Sequence, residues 1–112
     1  MAGIFGFRPC CKVWLEKEGG VFGEGLYSLL FSIDRAGSIA GAASEMGMSY
    51  RAAWGKIREA EKKWKIKLVD TKVGGEAGGG TRLTGEARTL LNTFRELKDS
   101  TEKSVGRLYE QA

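Results

Sequence analysis

The sequence contains no histidine, and its two cysteines, Cys10 and Cys11, are neighbours in the chain. Histidine is the commonest general base near neutral pH, so its absence removes the most frequent form of acid–base catalysis. Two cysteines without histidine cannot complete the usual nitrogen and sulfur shell of a zinc ion. A disulfide between adjacent cysteines is strained, and we expect two free thiols. These absences make an enzyme the weaker class of function and predict neither metal nor cofactor.

Long apolar segments are also missing. No stretch reaches the roughly 18 consecutive apolar residues that a membrane span needs, and the opening MAGIFGF lacks the charged start and cleavage site of a secretory signal. We therefore expect a cytoplasmic protein with no membrane partner. The 112 residues, 42% hydrophobic and 29% charged, are typical of one globular domain.

Positive charge is concentrated in one segment. The formal net charge is +4, but positions 49–67 alone carry +5, so the remainder is close to neutral. The basic residues of this segment are Arg51, Lys56, Arg58, Lys62, Lys63, Lys65 and Lys67. Such a concentration suits an anionic partner, although a solvated lysine-rich helix face would have the same composition.

The first third of the chain predicts a hairpin and two helices. KVWLE, from Lys12, alternates as a half-buried strand does, and Gly19-Gly20 permits a tight turn into a second short strand. Apolar residues recur at helical spacing over residues 24–36, and Gly37 can end that helix. Ser38 is placed to cap a second short helix that Gly47 closes.

The middle of the chain predicts a third helix over residues 50–64, with Ser49 as its N-cap. Helical periodicity places Tyr50 and Trp54 on the apolar side, where we expect Trp54 to join the core. The opposite side combines long cations with two positions that have almost no side chain. Its residues are Arg51, Ala52, Gly55, Arg58 and Lys62. Such a helix could lie close against another molecule.

The last part of the chain predicts a strand over residues 68–73, a glycine-rich tip, a strand over residues 81–83 and a long helix capped by Thr84. That helix has a heptad seam, and its residues Leu90, Phe94, Leu97, Thr101 and Leu108 are candidate dimer contacts. The alternative is that only its first two turns pack, on the domain's own core.

The order of these elements predicts a mainly α fold with small β hairpins, an α+β winged helix-turn-helix with a long C-terminal dimerisation helix. We assign residues 1–11 to an N-terminal arm and residues 12–112 to one domain, with residues 84–112 as the final helix. Winged helices also serve as protein-interaction modules, in which case the basic face would contact an acidic partner.

The run GSIAGAASEMGMSYRAAWGKI, from Gly37 to Ile57, resembles the helix-turn-helix of LysR-type and, more closely, ModE-type molybdate-responsive transcriptional regulators. KVWLE, the glycine-rich tip and LTGEAR at the head of the last helix are also similar, so the resemblance covers about residues 10–98. It implies a DNA-binding module that dimerises and places the third helix in the major groove of a palindromic operator. Members of that family bind molybdate in separate C-terminal domains, which we expect to be absent here. The protein would then be either a stand-alone DNA-binding relative or one whose sensing element is a separate chain.

Within such a module, Arg51 is the leading candidate to read a base, because it lies in the first turn of the third helix and its guanidinium can bond both acceptors of a guanine. Arg58 could read a base or hold a phosphate, whereas Lys56 and Lys62 are expected to hold phosphates. The hydroxyl groups of Ser38 and Ser49 lie at helix N-termini, where phosphate oxygens also bind. The Tyr50 hydroxyl could reach the DNA backbone.

The stretch VGGEAGGGTRLTGEAR, from Val73 to Arg88, has glycine at five of the seven positions 74–80. A phosphate-binding loop would require lysine and a hydroxyl residue where Thr81 and Arg82 stand. A linker would not be framed by two strands that can pair. We therefore predict the tip of a DNA-contacting wing, with Gly78, Gly79 and Gly80 near the DNA backbone or minor groove and Lys72 and Arg82 supplying charge at its base.

Overall fold

The computed structural model describes residues 3–71 and 80–111 of the chain. After a single 3-10 turn, Ile4–Gly6, the elements are β1 (Leu15–Lys17), β2 (Gly20–Phe22), α1 (Glu24–Ala36), α2 (Ile39–Glu45), α3 (Tyr50–Trp64), β3 (Val69–Thr71), β4 (Thr81–Leu83) and α4 (Gly85–Glu110). The strands form two separate antiparallel pairs, β1 with β2 and β3 with β4. This order confirms the predicted winged helix-turn-helix with a long C-terminal helix.

The first hairpin is shorter than the sequence predicted, and its turn lies one residue earlier. Lys17 pairs with Gly20, so the turn residues are Glu18 and Gly19, both with positive φ (51° and 76°), as two-residue hairpin turns require. Gly20 belongs to β2, where a Cβ atom would lie 2.7 Å from the indole nitrogen of Trp64. Glycine is therefore needed at this position because the Trp64 ring packs against it, and not because the turn requires it.

The helix-turn-helix follows local rules that the sequence displays. Gly37 ends α1 in the left-handed conformation (φ 76°), and its amide donates to the carbonyl of Ile33. The Ser38 hydroxyl then caps α2 by accepting a hydrogen bond from the Gly41 amide (3.0 Å). Only residues 46–49 separate α2 from α3, and Gly47 takes φ 66° within this turn. The three helices are thereby fixed around one core.

The core lies where α1, α2, α3 and the start of α4 meet. Leu29, Leu30 and Ile33 of α1 are fully buried, as their predicted stripe requires. Phe22 joins the first hairpin to this core: its ring meets Phe94 of α4 edge-on, with centroids 5.2 Å apart. Burial of these apolar side chains is the main stabilising contribution to the fold.

The burial of Phe94 corrects one member of the predicted dimer seam. Its side chain is 0% exposed within the chain's own core, so it cannot contact a second subunit. Leu90 is half-buried against the same core, whereas Leu97 and Leu108 are exposed (39% and 66%), and Thr101 is half-buried. Heptad spacing alone does not distinguish a residue that faces its own domain from one that faces a partner.

Two ion pairs at the surface join α4 to α1, which runs antiparallel to it. Arg88 pairs with Asp34 and Lys98 with Glu24, at 2.8 and 2.9 Å. The hydrogen bond from Lys98 to the Glu24 carboxylate, with the attraction between the two charges, raises the pKa of Lys98. The last buried side chain of α4 is that of Phe94, so the second half of the helix extends beyond the core.

The N-terminal arm returns to the far end of α4. The Tyr109 hydroxyl accepts a hydrogen bond from the Ile4 amide (2.8 Å) and donates one to the Phe7 carbonyl (2.7 Å). Cys10 and Cys11 follow on the surface as free thiols, as predicted. Across residues 3–71 and 80–111, none of the helices has the length and apolar character needed to cross a membrane.

Candidate nucleic-acid interface

The third helix is built as predicted, and its cap fixes where it begins. The Ser49 hydroxyl accepts a hydrogen bond from the Ala52 amide (3.0 Å), which satisfies one of the amides left without a partner in the first turn. Ala53, Ile57, Ala60 and Trp64 form the buried stripe of this helix. The helix ends at Lys65, which takes a left-handed conformation (φ 55°) without being glycine.

The face opposite this stripe is the outward surface of the domain. Arg51, Gly55, Arg58 and Lys62 lie along it, and all four are exposed. At 100° per residue they fall within one narrow arc of the helix surface. A Cβ atom at Gly55 would meet nothing within 4 Å, so the surface between the cations is shallow. We define these four residues as the basic face.

Lys56 does not share the basic face. It lies on the flank of α3 with Lys63, where the two helix residues and the first hairpin line a cleft of about 770 Å³. Trp14 and Val21 form the hairpin side of this cleft and are each about half exposed. The predicted phosphate contact of Lys56 would therefore involve a different side of the helix from that of Lys62.

Tyr50 and Trp54 lie on the other flank of α3. Tyr50 is 54% exposed, so it is not a core residue, whereas Trp54 is half-buried and packs against the edge of the core. The two rings meet nearly edge-on, with centroids 6.5 Å apart and planes at 77°. The guanidinium carbon of Arg58 lies 4.6 Å from the centre of the Trp54 ring. Sequence periodicity placed Trp54 in the core and did not reveal this stack.

The base of the wing is bonded to both neighbouring parts of the domain. A carboxylate oxygen of Glu61 on α3 accepts hydrogen bonds from the amides of Leu68 (2.8 Å) and Val69 (3.3 Å), just where β3 begins. On the other strand, the Thr81 amide donates to the Gly37 carbonyl between α1 and α2 (2.9 Å). These bonds hold the wing strands beside α3 and the start of α2.

Glu61 is a positioning residue that the sequence did not reveal, because its partners follow the end of the helix that carries it. Thr84 was predicted as a helix cap and has a second role. Its hydroxyl accepts from the Ala87 amide (3.1 Å) and donates to the Lys67 carbonyl (2.6 Å), so it also fastens the chain that leads into β3.

The predicted wing contacts fall partly outside the described residues. Lys72, Gly78 and Gly79 lie outside residues 3–71 and 80–111. Gly80 is exposed, and a Cβ atom there would lie 3.2 Å from the Gly37 carbonyl oxygen, so its small size serves packing against the α1–α2 turn. Arg82 is exposed on β4, opposite Asp70 of β3.

No three histidine, cysteine, aspartate or glutamate side chains of residues 3–71 and 80–111 come together as a metal site would require. The exposed side of α3 and the helix ends beside it offer guanidinium and ammonium groups, hydroxyl groups and two aromatic rings. These are the groups that proteins use to contact phosphates and base edges.

Comparison with known proteins identifies the family of the chain. Residues 26–88 match the family described as bacterial regulatory helix-turn-helix protein, lysR family. The chain is 35% identical over 91 residues to the molybdenum-pterin-binding protein MopB of Rhodobacter capsulatus, covering 81% of this chain and 34% of MopB. It is 44% identical over 72 residues to the molybdenum transport protein ModE of Herbaspirillum seropedicae, covering 64% of this chain and 27% of that protein.

The DNA-binding transcriptional dual regulator ModE of Escherichia coli (strain K12) is 35% identical over 77 residues, which are 69% of this chain and 29% of that protein. The chain thus spans about a third of the length of these relatives. A crystal structure of a CbnR_DBD-DNA complex shares the fold, with a TM-score of 0.54 and 18% identity over 72% of this chain and 87% of the other. The chain therefore belongs to the lysR family of bacterial regulatory helix-turn-helix proteins.

Proposed function

We propose that this protein binds double-stranded DNA in a sequence-dependent manner and regulates transcription, with α3 in the major groove. The observation that carries the proposal is the basic face, where two arginines and a lysine protrude on a helix whose opposite side is buried. A helix fits the roughly 12 Å width of the major groove. Gly55 lets the helix backbone approach the groove between the cations.

Within this interface each predicted residue has a separate task. Arg51 stands in the first turn of α3, from which recognition helices usually reach base edges, and it reads a base. Lys62 lies about three turns further along the basic face and holds a phosphate. Ser38 and Ser49 cap their helices and offer hydroxyl donors to phosphate oxygens, and Arg82 contacts the backbone beside the wing.

We also propose that the protein acts as a homodimer on a palindromic operator. The second half of α4 leaves the core, and its exposed apolar residues Leu97 and Leu108 are available for a second copy. Leu90 and Thr101 would flank this contact. A dimer matches two half-sites related by a two-fold axis, about one helical turn apart.

Selection of bound sequences from random duplexes tests the function directly. The expected result is a palindrome. The logarithm of its binding constant should fall linearly with the logarithm of salt concentration, with a slope of about −0.9 for each phosphate neutralised. No bound duplex, or an affinity that does not change with salt, would instead favour a protein-interaction module with an acidic partner.

A pair of single substitutions separates base reading from phosphate binding. Arg51→Ala should lower affinity for the selected palindrome by about 1–3 kcal/mol while changing affinity for random DNA much less. Lys62→Ala should weaken both and reduce the salt slope by about one phosphate. Equal losses on both duplexes for Arg51→Ala would disprove its role as a base reader.

A further inference from the structure

The stack of Tyr50, Trp54 and Arg58 suggests a role that neither the family match nor the fold assigns. The three residues are spaced by four along α3, so they form a column on one flank of the helix. Arg58 is exposed and Tyr50 is more than half exposed, whereas Trp54 is half-buried between them. By contrast Trp64, the other tryptophan of this helix, is 6% exposed.

The stack determines where the charge of Arg58 lies. Helical side chains lean toward the N-terminus, and the guanidinium carbon of Arg58 lies 4.6 Å from the ring centre of Trp54, a residue four positions earlier. Four residues correspond to about 6 Å along the helix. The charge of Arg58 is therefore directed toward the N-terminal half of α3 and Arg51, where recognition helices contact base edges.

A guanidinium that stacks face to face on a ring keeps its hydrogen-bonding edge available. Its N–H donors lie in the plane of the group, so an aromatic ring can cover one face without occupying them. Two arginines stack on rings within residues 3–71 and 80–111, namely Arg35 on Phe31 and Arg58 on Trp54. Arg35 also forms an ion pair with Glu45 at 2.8 Å, whereas the three ion pairs of the described residues do not include Arg58.

We propose that Trp54 is a positioning residue of the DNA interface, which holds the guanidinium of Arg58 edge-outward so that Arg58 reads a guanine of the operator. Arg58 is then a determinant of sequence preference beside Arg51, and Trp54 acts through it. This inference rests on the proposed function. Its chemical basis is that a fixed, planar group loses less conformational entropy when it forms two parallel hydrogen bonds than a freely rotating one does.

A double-mutant cycle on the full chain tests the coupling. The measured quantity is the ratio of affinities for the selected palindrome and for a scrambled duplex of the same length. Arg58→Ala should lower this ratio by roughly tenfold to a hundredfold. Trp54→Leu should lower it by roughly threefold to thirtyfold when Arg58 is present and leave it unchanged in the Arg58→Ala background. Trp54→Phe should restore most of the loss.

The salt slope distinguishes positioning from a structural role. Trp54→Leu removes no charge, so the slope should stay that of the wild type while the affinity ratio falls. An equal loss on both duplexes, or the same loss with and without Arg58, would show that Trp54 only supports the fold and would overturn the inference. If the wild type binds no duplex at all, the proposed function itself fails, and the inference fails with it.

Two further variants cover the case in which Trp54→Leu does not fold. Arg58→Lys keeps the charge, but an ammonium lacks the planar fork of donors that a ring can hold in one orientation. It should lower the affinity ratio, by less than Arg58→Ala does, while retaining the salt slope, and a wild-type ratio would overturn the inference. Phe31→Leu is the matched control, because it removes the same kind of stack from Arg35 on α1, and the ratio should not change.

Discussion

Gly55 provides a test in which stability and function should change in opposite directions. Glycine in the middle of a helix costs about 0.5–1 kcal/mol relative to alanine, and α3 carries this cost on its outward face. A Cβ atom at Gly55 would have open space around it, so packing within the chain does not require glycine there. Gly55→Ala should therefore raise the free energy of unfolding by about 0.5–1 kcal/mol. In a domain of this size that change corresponds to a midpoint of thermal unfolding that is higher by several degrees.

The same substitution should weaken binding if the basic face lies against DNA, and Gly55→Leu should weaken it further, because each side chain keeps the backbone from the groove floor. Urea unfolding and duplex binding, measured on the same preparations, give both quantities. Gly106→Ala in α4 is the matched control: its Cβ is also unobstructed, so it should stabilise the fold without changing DNA affinity. Unchanged DNA affinity for Gly55→Leu would refute the placement of this face in the groove.

Three further predictions concern the contacts that hold the site in place. Glu61→Ala removes a charged acceptor shared by two backbone amides, and should lower the free energy of unfolding, measured by urea unfolding, by about 2 kcal/mol. An unchanged urea midpoint would contradict the role of Glu61 at the wing base. Gly20→Ala places a methyl group against the indole of Trp64, and should lower the free energy of unfolding by roughly 1–3 kcal/mol and change the tryptophan fluorescence. A variant as stable as the wild type would show that the ring has room to move. Because the pKa of Lys98 is raised above 10.5 by its carboxylate partner on α1, its ion pair stabilises the fold below that pH and the contribution is lost as pH rises through the folded-state pKa. The difference in stability between wild type and Lys98→Gln should thus disappear in strongly alkaline solution, and a constant difference would contradict the ion pair.

Features that depend on neighbouring residues were predictable from the sequence. A serine or threonine cap bonds an amide three positions away, so Ser38, Ser49 and Thr84 mark the starts of α2, α3 and α4 without knowledge of the fold. The left-handed end of α1 at Gly37 is equally local. Helical periodicity also separated the buried stripe of α3 from its basic face, because that separation follows from 3.6 residues per turn.

Tertiary structure decided what each of several ambiguous side chains contacts. Phe94 has the spacing of a seam residue, but the core has room for its ring beside Phe22, and burial there removes it from any subunit contact. Gly20 looks like a turn residue, yet a distant indole requires it to lack a side chain. Trp54 has the periodicity of the core, but its position at the edge of the packed stripe leaves the ring open to Arg58. Sequence periodicity determines the direction in which a side chain leaves its helix, and only the packing of the other elements determines what it meets there.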